Sequence, residues 1–400
     1  MVVNILGIVL FALLIGISIA LHEFGHLLTA KAFGMKVTRY FIGFGPKIWS
    51  FRKGETEYGL KAIPAGGFCE ITGMTALDEV HPDDAPRAFF RQKTWKRVVV
   101  LSAGSITHFI VGFVVLYAMA ATMGLPNLKN EPIIASVSDC VQSGPTTDAC
   151  VPGAPAPAKS AGLQPNDEIV AVAGQATPTW KDLLEKTQQR GGPTEFTVLR
   201  NGQELKVTMD VPKVKRDYRK ADGTTETREV GAIGVGWMSN FEYNPVTAIG
   251  GATAFTGTMF ANTWEGLLKF PEKIPAVIKA IGGGERDLES PVSVVGASRL
   301  GGDAAEQGLW QFFLLMLAGL NFFVGVFNLL PLLPLDGGHI AVNLYERVRD
   351  WLLKLRGKPA GGPVNYMRLL PLTYFVIFIG GGITLLTVTA DLVNPIRLPQ

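Results

Sequence analysis

His22-Glu23-Phe24-Gly25-His26 brings two imidazoles and a carboxylate into five consecutive residues. On a helix the two histidines stand one turn apart on one face, so both can meet one zinc ion. Glu23 projects beside them, placed to take a proton from a zinc-bound water. A bare match of this length recurs by chance, and polar groups hydrogen-bonded at a helix end are the bland alternative. The setting argues for use: the motif lies inside an apolar stretch from Val2 to about Ala32, where such groups are costly unless they serve a purpose. A catalytic zinc also needs a third protein ligand and an open position. Asp336 is the candidate, at the end of Asn328-Leu329-Leu330-Pro331-Leu332-Leu333-Pro334-Leu335-Asp336-Gly337-Gly338-His339.

The elements that must position these groups are membrane spans. The 400-residue chain is 48% apolar and 18% charged, with a net charge of +3 that gives no nucleic-acid reading. Val2–Leu21 is too long for a signal-peptide core and lacks a basic start, so it reads as a retained span. Further runs cover Val98–Met123, Leu309–Leu335 and Leu369–Leu392, each long enough to cross a bilayer. Lys and Arg crowd the loop after the first span (Lys31 to Arg97) and the short third loop (Arg347 to Arg368), which makes both cytoplasmic and puts both termini outside. His22, His26 and Asp336 then fall at a common depth toward the cytoplasmic side. Pro331 and Pro334 would break the third span and let Asp336 enter a polar cavity.

Around the spans, the aromatic-rich stretch Phe41–Phe68 reads as short strands and turns, either at the membrane interface or as a packed cytoplasmic hairpin. Hydropathy drops from about Asn130 to Ser239. Within that part Glu168–Ala173 is a short strand, Thr179 and Asp182 cap a helix over Trp180–Gln189, and Glu195–Leu199 pairs with Glu204–Met209 across Asn201-Gly202. Ser160-Ala161-Gly162-Leu163 followed by Asp167 to Val172 resembles the bacterial PDZ pattern, with Asn166 where glycine is usual. Val151–Ala158 reads as a flexible insertion. Trp264–Ile281 alternates lysines with apolar residues as an amphipathic helix on the membrane or on the PDZ module, and Gly282–Gly302 reads as a connector. Cys140 and Cys150 share the exported segment, where a disulfide is permitted; Cys69 falls in the cytoplasmic loop without a partner.

With both motifs in hand, the chain resembles the site-2 proteases, intramembrane zinc metalloproteases, in their PDZ-containing bacterial branch; Ser290–Ser298 and Leu386–Leu398 look most like actinobacterial, including mycobacterial, members. The resemblance spans nearly the whole chain. It implies a polytopic α-helical membrane protein of about four transmembrane helices, with a membrane-associated β element and an inserted extracytoplasmic α+β PDZ domain. Divided accordingly, 1–32 is the first span, 33–97 the cytoplasmic β element and loop, 98–124 the second span and 125–240 the PDZ domain. The amphipathic helix and connector take 241–308, the third span 309–340, a cytoplasmic loop 341–368, and the fourth span with its tail 369–400.

Carried over by motif, His22, His26 and Asp336 are the zinc ligands, Glu23 the base, and Asn328 a residue that holds the substrate backbone. Where these proteins commonly have Ala-Gly-Pro-x-x-Asn, this chain reads Ala103-Gly104-Ser105-Ile106-Thr107-His108. His108 lies roughly 15 Å along its span, so it is either a polar neighbour of the site or a packing histidine; direct zinc ligation is not the expectation. The implied activity is hydrolysis of peptide bonds in or near transmembrane segments already trimmed by an upstream protease. Implied partners are the bilayer of the bacterial cell membrane and single-span substrates such as anti-sigma factors or signal-peptide remnants. Two rivals from other classes are a membrane-anchored PDZ receptor with a vestigial metal site and a zinc transporter. Intact Glu23 speaks against the first, and the soluble module with no His-rich loops against the second.

Overall fold

The structure, a computed structural model, describes residues 2–74, 78–143, 150–219, 224–286 and 290–398. It divides into two compact units, one formed by 1–122 with 245–400 and the other by 123–244. Among the described residues four helices are long and apolar enough to cross a membrane. The first, α1 (Val2–Ala32), is one uninterrupted helix that carries the His-Glu-Phe-Gly-His motif in its last third. Leu6, Val9, Leu13 and Ile17 are exposed along it, as suits a helix wetted by lipid rather than water.

The aromatic stretch after α1 is not a set of short strands. It is one hairpin of two long antiparallel strands, β1 (Val37–Lys53) and β2 (Thr56–Ile71), whose register slips repeatedly between Arg39 and Trp49. Gly43 and Gly45 take positive φ in the irregular part, which bends β1 where a regular ladder would run straight. The hairpin is tied to α1 by Tyr40, whose hydroxyl donates to Ala20 O at 2.7 Å, and by Lys31, which donates to Tyr58 Oη at 3.0 Å. Its base closes a core of Leu27, Met35, Val37, Ile71, Phe89 and Leu101. The second spanning helix, α2 (Thr94–Thr122), packs against α1.

The unit 123–244 has its own core, centred on Ile134, Ile169, Val172, Leu183, Phe196 and Val198. It opens with β3 (Leu125–Pro126) and β4 (Ile134–Val137), then a single turn of helix, α3 (Pro157–Ser160). β5 (Glu168–Val172) and β6 (Gln175–Ala176) precede α4 (Trp180–Gln188), whose capping box joins Thr179 and Asp182. β7 (Gly192–Arg200) and β8 (Gln203–Val211) form a hairpin at whose tip Asn201 and Gly202 both have positive φ, as a type I′ turn demands. The main sheet has the order β6-β5-β7-β8. A second hairpin, β9 (Lys213–Arg219) with β10 (Thr225–Gly231), follows, and β11 (Val235–Trp237) and β12 (Asn240–Phe241) pair back to β4 and β3. Asp167, 1% exposed, is gripped by Arg200 at 2.6 Å and by the Gln164 backbone N–H. Burial raises its pKa, but these bonds hold its carboxyl below the usual range. Cys140 and Cys150 are disulfide-bonded with Cα atoms 5.8 Å apart.

The chain returns in α5 (Thr247–Ile281), a helix of 35 residues that begins well before the expected Trp264 and crosses α2 and α7 through Phe260, packed on Phe109 and Phe322. The expected glycine-rich connector holds a helix, α6 (Val294–Glu306), laid against α1. Glycine is a poor helix former, yet here it permits close approach: a Cβ at Gly301 would strike Phe11, and one at Gly7 would strike Ala305. The third spanning helix, α7 (Trp310–Asn328), stops at Asn328 and not at Leu335, because Pro331 and Pro334 cannot continue the ladder. The expected cytoplasmic loop 341–368 is largely a second missed helix, α8 (Asp336–Leu355). The last spanning helix is α9 (Leu370–Val393). Its Asp391, 1% exposed, accepts from Arg286 and from the Ser293 backbone, which ties α9 to the segment before α6.

Candidate active site

Two helices deliver three donors to one point. His22 and His26, both buried, face α2 from the C-terminal third of α1; Asp336 arrives as the first residue of α8. The two Nε2 atoms are 3.1 Å apart, and Asp336 Oδ2 lies 3.3 Å from one and 3.4 Å from the other. Ligand bonds of about 2.0–2.1 Å in a tetrahedron place donors about 3.3–3.4 Å apart, so this triangle fits a zinc-sized cation with one position left open. The His26 tautomer is fixed for this role: Nδ1 donates to Val100 O at 2.7 Å, which leaves the Nε2 lone pair facing the other donors. His22 Nδ1 is buried and has no hydrogen-bond partner among the described residues. Converging lone pairs and a carboxylate in an apolar bundle are poorly satisfied without a cation between them.

Local sequence explains how Asp336 is aimed. After α7 ends, residues 329–335 double back and α8 starts at once, so the carboxylate sits in a first helical turn, where the backbone dipole favours negative charge. The reversal is tight enough that a Cβ on Gly337 would collide with the Leu329 carbonyl and one on Gly338 with the backbone of Leu332 and Leu333. The two glycines after Asp336 are therefore a steric requirement. Asn328 is the last residue of α7, half-buried, eight positions before Asp336.

Glu23 follows His22 on α1. Its carboxylate accepts from the backbone of Cys69 on β2, and Gly67 passes so close that a Cβ there would come within 3.0 Å of Glu23 Cγ. The β hairpin thus lies directly over the acid. On the opposite side α2 presses its backbone against the imidazoles. A Cβ at Gly104 would stand 2.5 Å from Nε2 of both histidines, so glycine is needed for the helix to approach. Sequence reasoning missed Gly104; a run of small residues from Ser102 to Ser105 facing a histidine pair was the available signal.

His108, one turn further along α2, is 2% exposed and its ring centroid is 5.0 Å from that of His22. Asn321 Nδ2 donates to Leu317 O, so its Oδ1 must accept, and His108 Nδ1 donates to it at 2.9 Å. His108 is not part of the donor triangle. His339 pairs with the Tyr366 hydroxyl at 3.3 Å, and exposed His81 caps a turn, both away from the triangle. Cys69 is a half-buried free thiol.

The sequence profile described as Peptidase family M50 matches residues 10–372. The chain belongs to peptidase family M50, the site-2 proteases. It is 47% identical over 407 residues to the zinc metalloprotease Rip1 of Mycolicibacterium smegmatis, covering 99% of each chain. It is 45% identical over 402 residues to the protein of that name from Mycobacterium tuberculosis, covering 98% of this chain and 99% of the relative. A more distant relative, a putative zinc metalloprotease of Brucella suis, is 28% identical over 400 residues, covering 93% of this chain and 94% of the relative.

Proposed function

We propose that this chain is an intramembrane zinc metalloendopeptidase in which His22, His26 and Asp336 hold the metal and Glu23 is the general base. The observation that carries the reading is the triangle of donor atoms with Glu23 one residue from its first member. Bound zinc supplies Lewis acidity at the scissile carbonyl and makes the attacking water acidic. Glu23 takes the proton of that water and passes it to the leaving amine. The Val100 carbonyl holds the His26 ring in its ligating tautomer, Gly104 lets α2 close one wall, and Asn328 aligns the substrate backbone. A helical substrate hides its amides in its own hydrogen bonds, so it unwinds before cleavage, with β2 beside Glu23 as the surface that receives it.

The substrates proposed are single-span membrane proteins already trimmed by an upstream protease, such as anti-sigma factors or signal-peptide remnants. The enzyme sits in the bacterial cell membrane, with its termini and the unit 123–244 on the outside. The sheet order β6-β5-β7-β8 with α4, and the Asp167 to Val172 pattern, support reading that unit as a PDZ domain that restricts access to the bilayer.

The test is cleavage of a single-span substrate by the purified full chain, with and without chelator, beside Glu23→Gln. Mass spectrometry of the products is expected to place the cut in or next to the apolar segment, and both treatments are expected to abolish it. Cleavage that survives both would refute the assignment.

A further inference from the structure

α8 is built the wrong way round for a helix in water. Its polar side chains at Asn343, Glu346 and Asp350 are buried or half-buried, while its large apolar ones are bare. The segment that follows the helix folds back over the polar face: Val364 N donates to Glu346 at 2.8 Å, Gly361 N donates to Asp350 at 3.1 Å, and the Tyr366 hydroxyl meets His339 at 3.3 Å. Arg97 of α2 closes the same face through Glu346 at 3.2 Å.

The opposite face has no cover among the described residues. Leu344, Tyr345, Val348, Trp351, Leu352 and Leu355 are 43–66% exposed. At 3.6 residues per turn they fall in one stripe about 120° wide and about 17 Å long. Contiguous apolar surface of this kind marks a contact rather than a solvated face. α8 is not among the four helices apolar enough to cross a membrane, and a stripe so short suits a helix that lies in the plane of the membrane surface.

The charges say which surface covers it. Arg347 and Lys354 border the stripe on one side and Arg349 and Arg356 on the other, where basic side chains lay their stems on lipid and keep their charge among headgroups. Between 347 and 358 five cations face a single acid, Asp350, a net charge of +4. Arg349 is spent on Asp350 and on the carbonyls of Gly361 and Gly362. Arg347, Lys354, Arg356 and Lys358 are exposed and make no ion pair among the described residues. A second copy of the chain would bring the same positive charge against this one, whereas an anionic leaflet supplies both the apolar bed and the counter-charge. Position agrees with this: α8 begins eight residues after the last residue of α7, and its Glu346 pairs with the first turn of α2, at the ends of two spans where headgroups lie.

We propose that α8 is a docking surface for an anionic lipid leaflet. Its apolar stripe sinks into the boundary between headgroups and acyl chains, and Arg347, Lys354, Arg356 and Lys358 hold lipid phosphates. In the orientation proposed above, this is the cytoplasmic leaflet.

The test follows backbone hydrogen exchange across 344–355 in the full chain, held in nanodiscs of phosphatidylcholine alone or mixed with phosphatidylglycerol. Two variants stand beside wild type: Val348→Glu puts a charge in the stripe, and the double exchange Lys354→Gln with Arg356→Gln removes two cations. All three positions are exposed, so neither variant should prevent folding. Wild type is expected to exchange more slowly when phosphatidylglycerol is present. At about 1 kcal/mol for each cation near an anionic surface, the double variant is expected to lose about 30-fold of protection in the mixed disc and little in the neutral one. Val348→Glu is expected to exchange faster in both. Wild-type protection that ignores lipid charge, or protection in the mixed disc that survives the double exchange, would overturn the proposal. The final arm is molecular mass by light scattering in detergent: a wild-type dimer that Val348→Glu dissociates would make the stripe an interface between copies, and the lipid assignment would fail. Neither readout involves zinc or catalysis, so failure here is distinct from failure of the proposed protease activity.

Discussion

Gly104 is the position where the smallest change should do the most damage. A Cβ added there stands 2.5 Å from Cε1 and Nε2 of His22 and from Nε2 of His26, whereas ordinary contact begins at 3.4 Å. Either the rings or α2 must therefore move by 3.4 less 2.5, about 0.9 Å. Both rings are buried, and His26 is pinned through Nδ1 to Val100 on α2 itself, so it cannot swing aside without losing that bond. Overpacking of this kind costs about 1–3 kcal/mol, and a displacement near 1 Å at reacting groups costs on the order of 10²-fold in rate. Gly104→Ala is expected to fold, to lose most bound zinc, and to cleave a single-span substrate about 10²-fold more slowly. The control is Gly16→Ala on α1, where an added Cβ meets nothing within 4 Å. Both exchanges gain about 1 kcal/mol of helix propensity, so only the contact with the histidines separates them. Zinc per chain and initial rate are the readouts. A Gly104→Ala protein with full zinc and a rate within a few-fold of wild type would show that α2 does not abut the ligands as described.

His108→Ala is expected to keep one zinc per chain while destabilising the bundle by about 1–3 kcal/mol, because Asn321 Oδ1 is left buried without a donor; thermal melts with metal analysis check both halves. Arg200→Ala strands the buried Asp167 charge and should cost about 3 kcal/mol, seen as faster hydrogen exchange across 160–211 in the full chain. Since Asp167 is held below its ordinary pKa, the unfolded state binds its proton first as acid is added. The pair's contribution is therefore complete above the ordinary carboxylate range and fades as pH falls through the lowered native value. Exchange in this region should rise in acid, and that acid dependence should be largely lost in Arg200→Ala. Cys140→Ser opens a crosslink between residues ten apart and should cost about 2–3 kcal/mol if chain entropy governs, measured by unfolding with and without reductant.

What was legible in the sequence was whatever announces itself locally. His22 and His26 are marked by their spacing of one helical turn with Glu23 between them, the spans by their length and lack of charge, and the β7–β8 hairpin by Asn201-Gly202. Asp336 was reachable because an intramembrane zinc lacked a ligand and the prolines before it forbid a continuous helix. The helices α6 and α8 were not seen, for different reasons. α6 is rich in glycine, a poor helix former, and is held by contact with Gly7 and Phe11 some 290 residues away in sequence, which no local pattern encodes. α8 did carry a signal, apolar Leu344, Val348, Trp351, Leu352 and Leu355 at helical spacing; the dense Arg and Lys around them masked it as a loop. Gly104, Gly67 and Gly337 matter only through what stands opposite them. Such close approaches are a property of the assembled bundle.

His22, His26 and Asp336 together, without His108, are expected to bind one cation and leave a position open. Zinc-edge X-ray absorption on the purified, zinc-loaded chain tests it most directly, with Asp336→Ala and His108→Ala beside the wild type. Two imidazole nitrogens at about 2.0–2.1 Å with oxygen completing the shell are expected, with the spectrum unchanged in His108→Ala and altered in Asp336→Ala. A third imidazole in the wild-type shell that vanishes with His108, or a shell indifferent to Asp336, would contradict it.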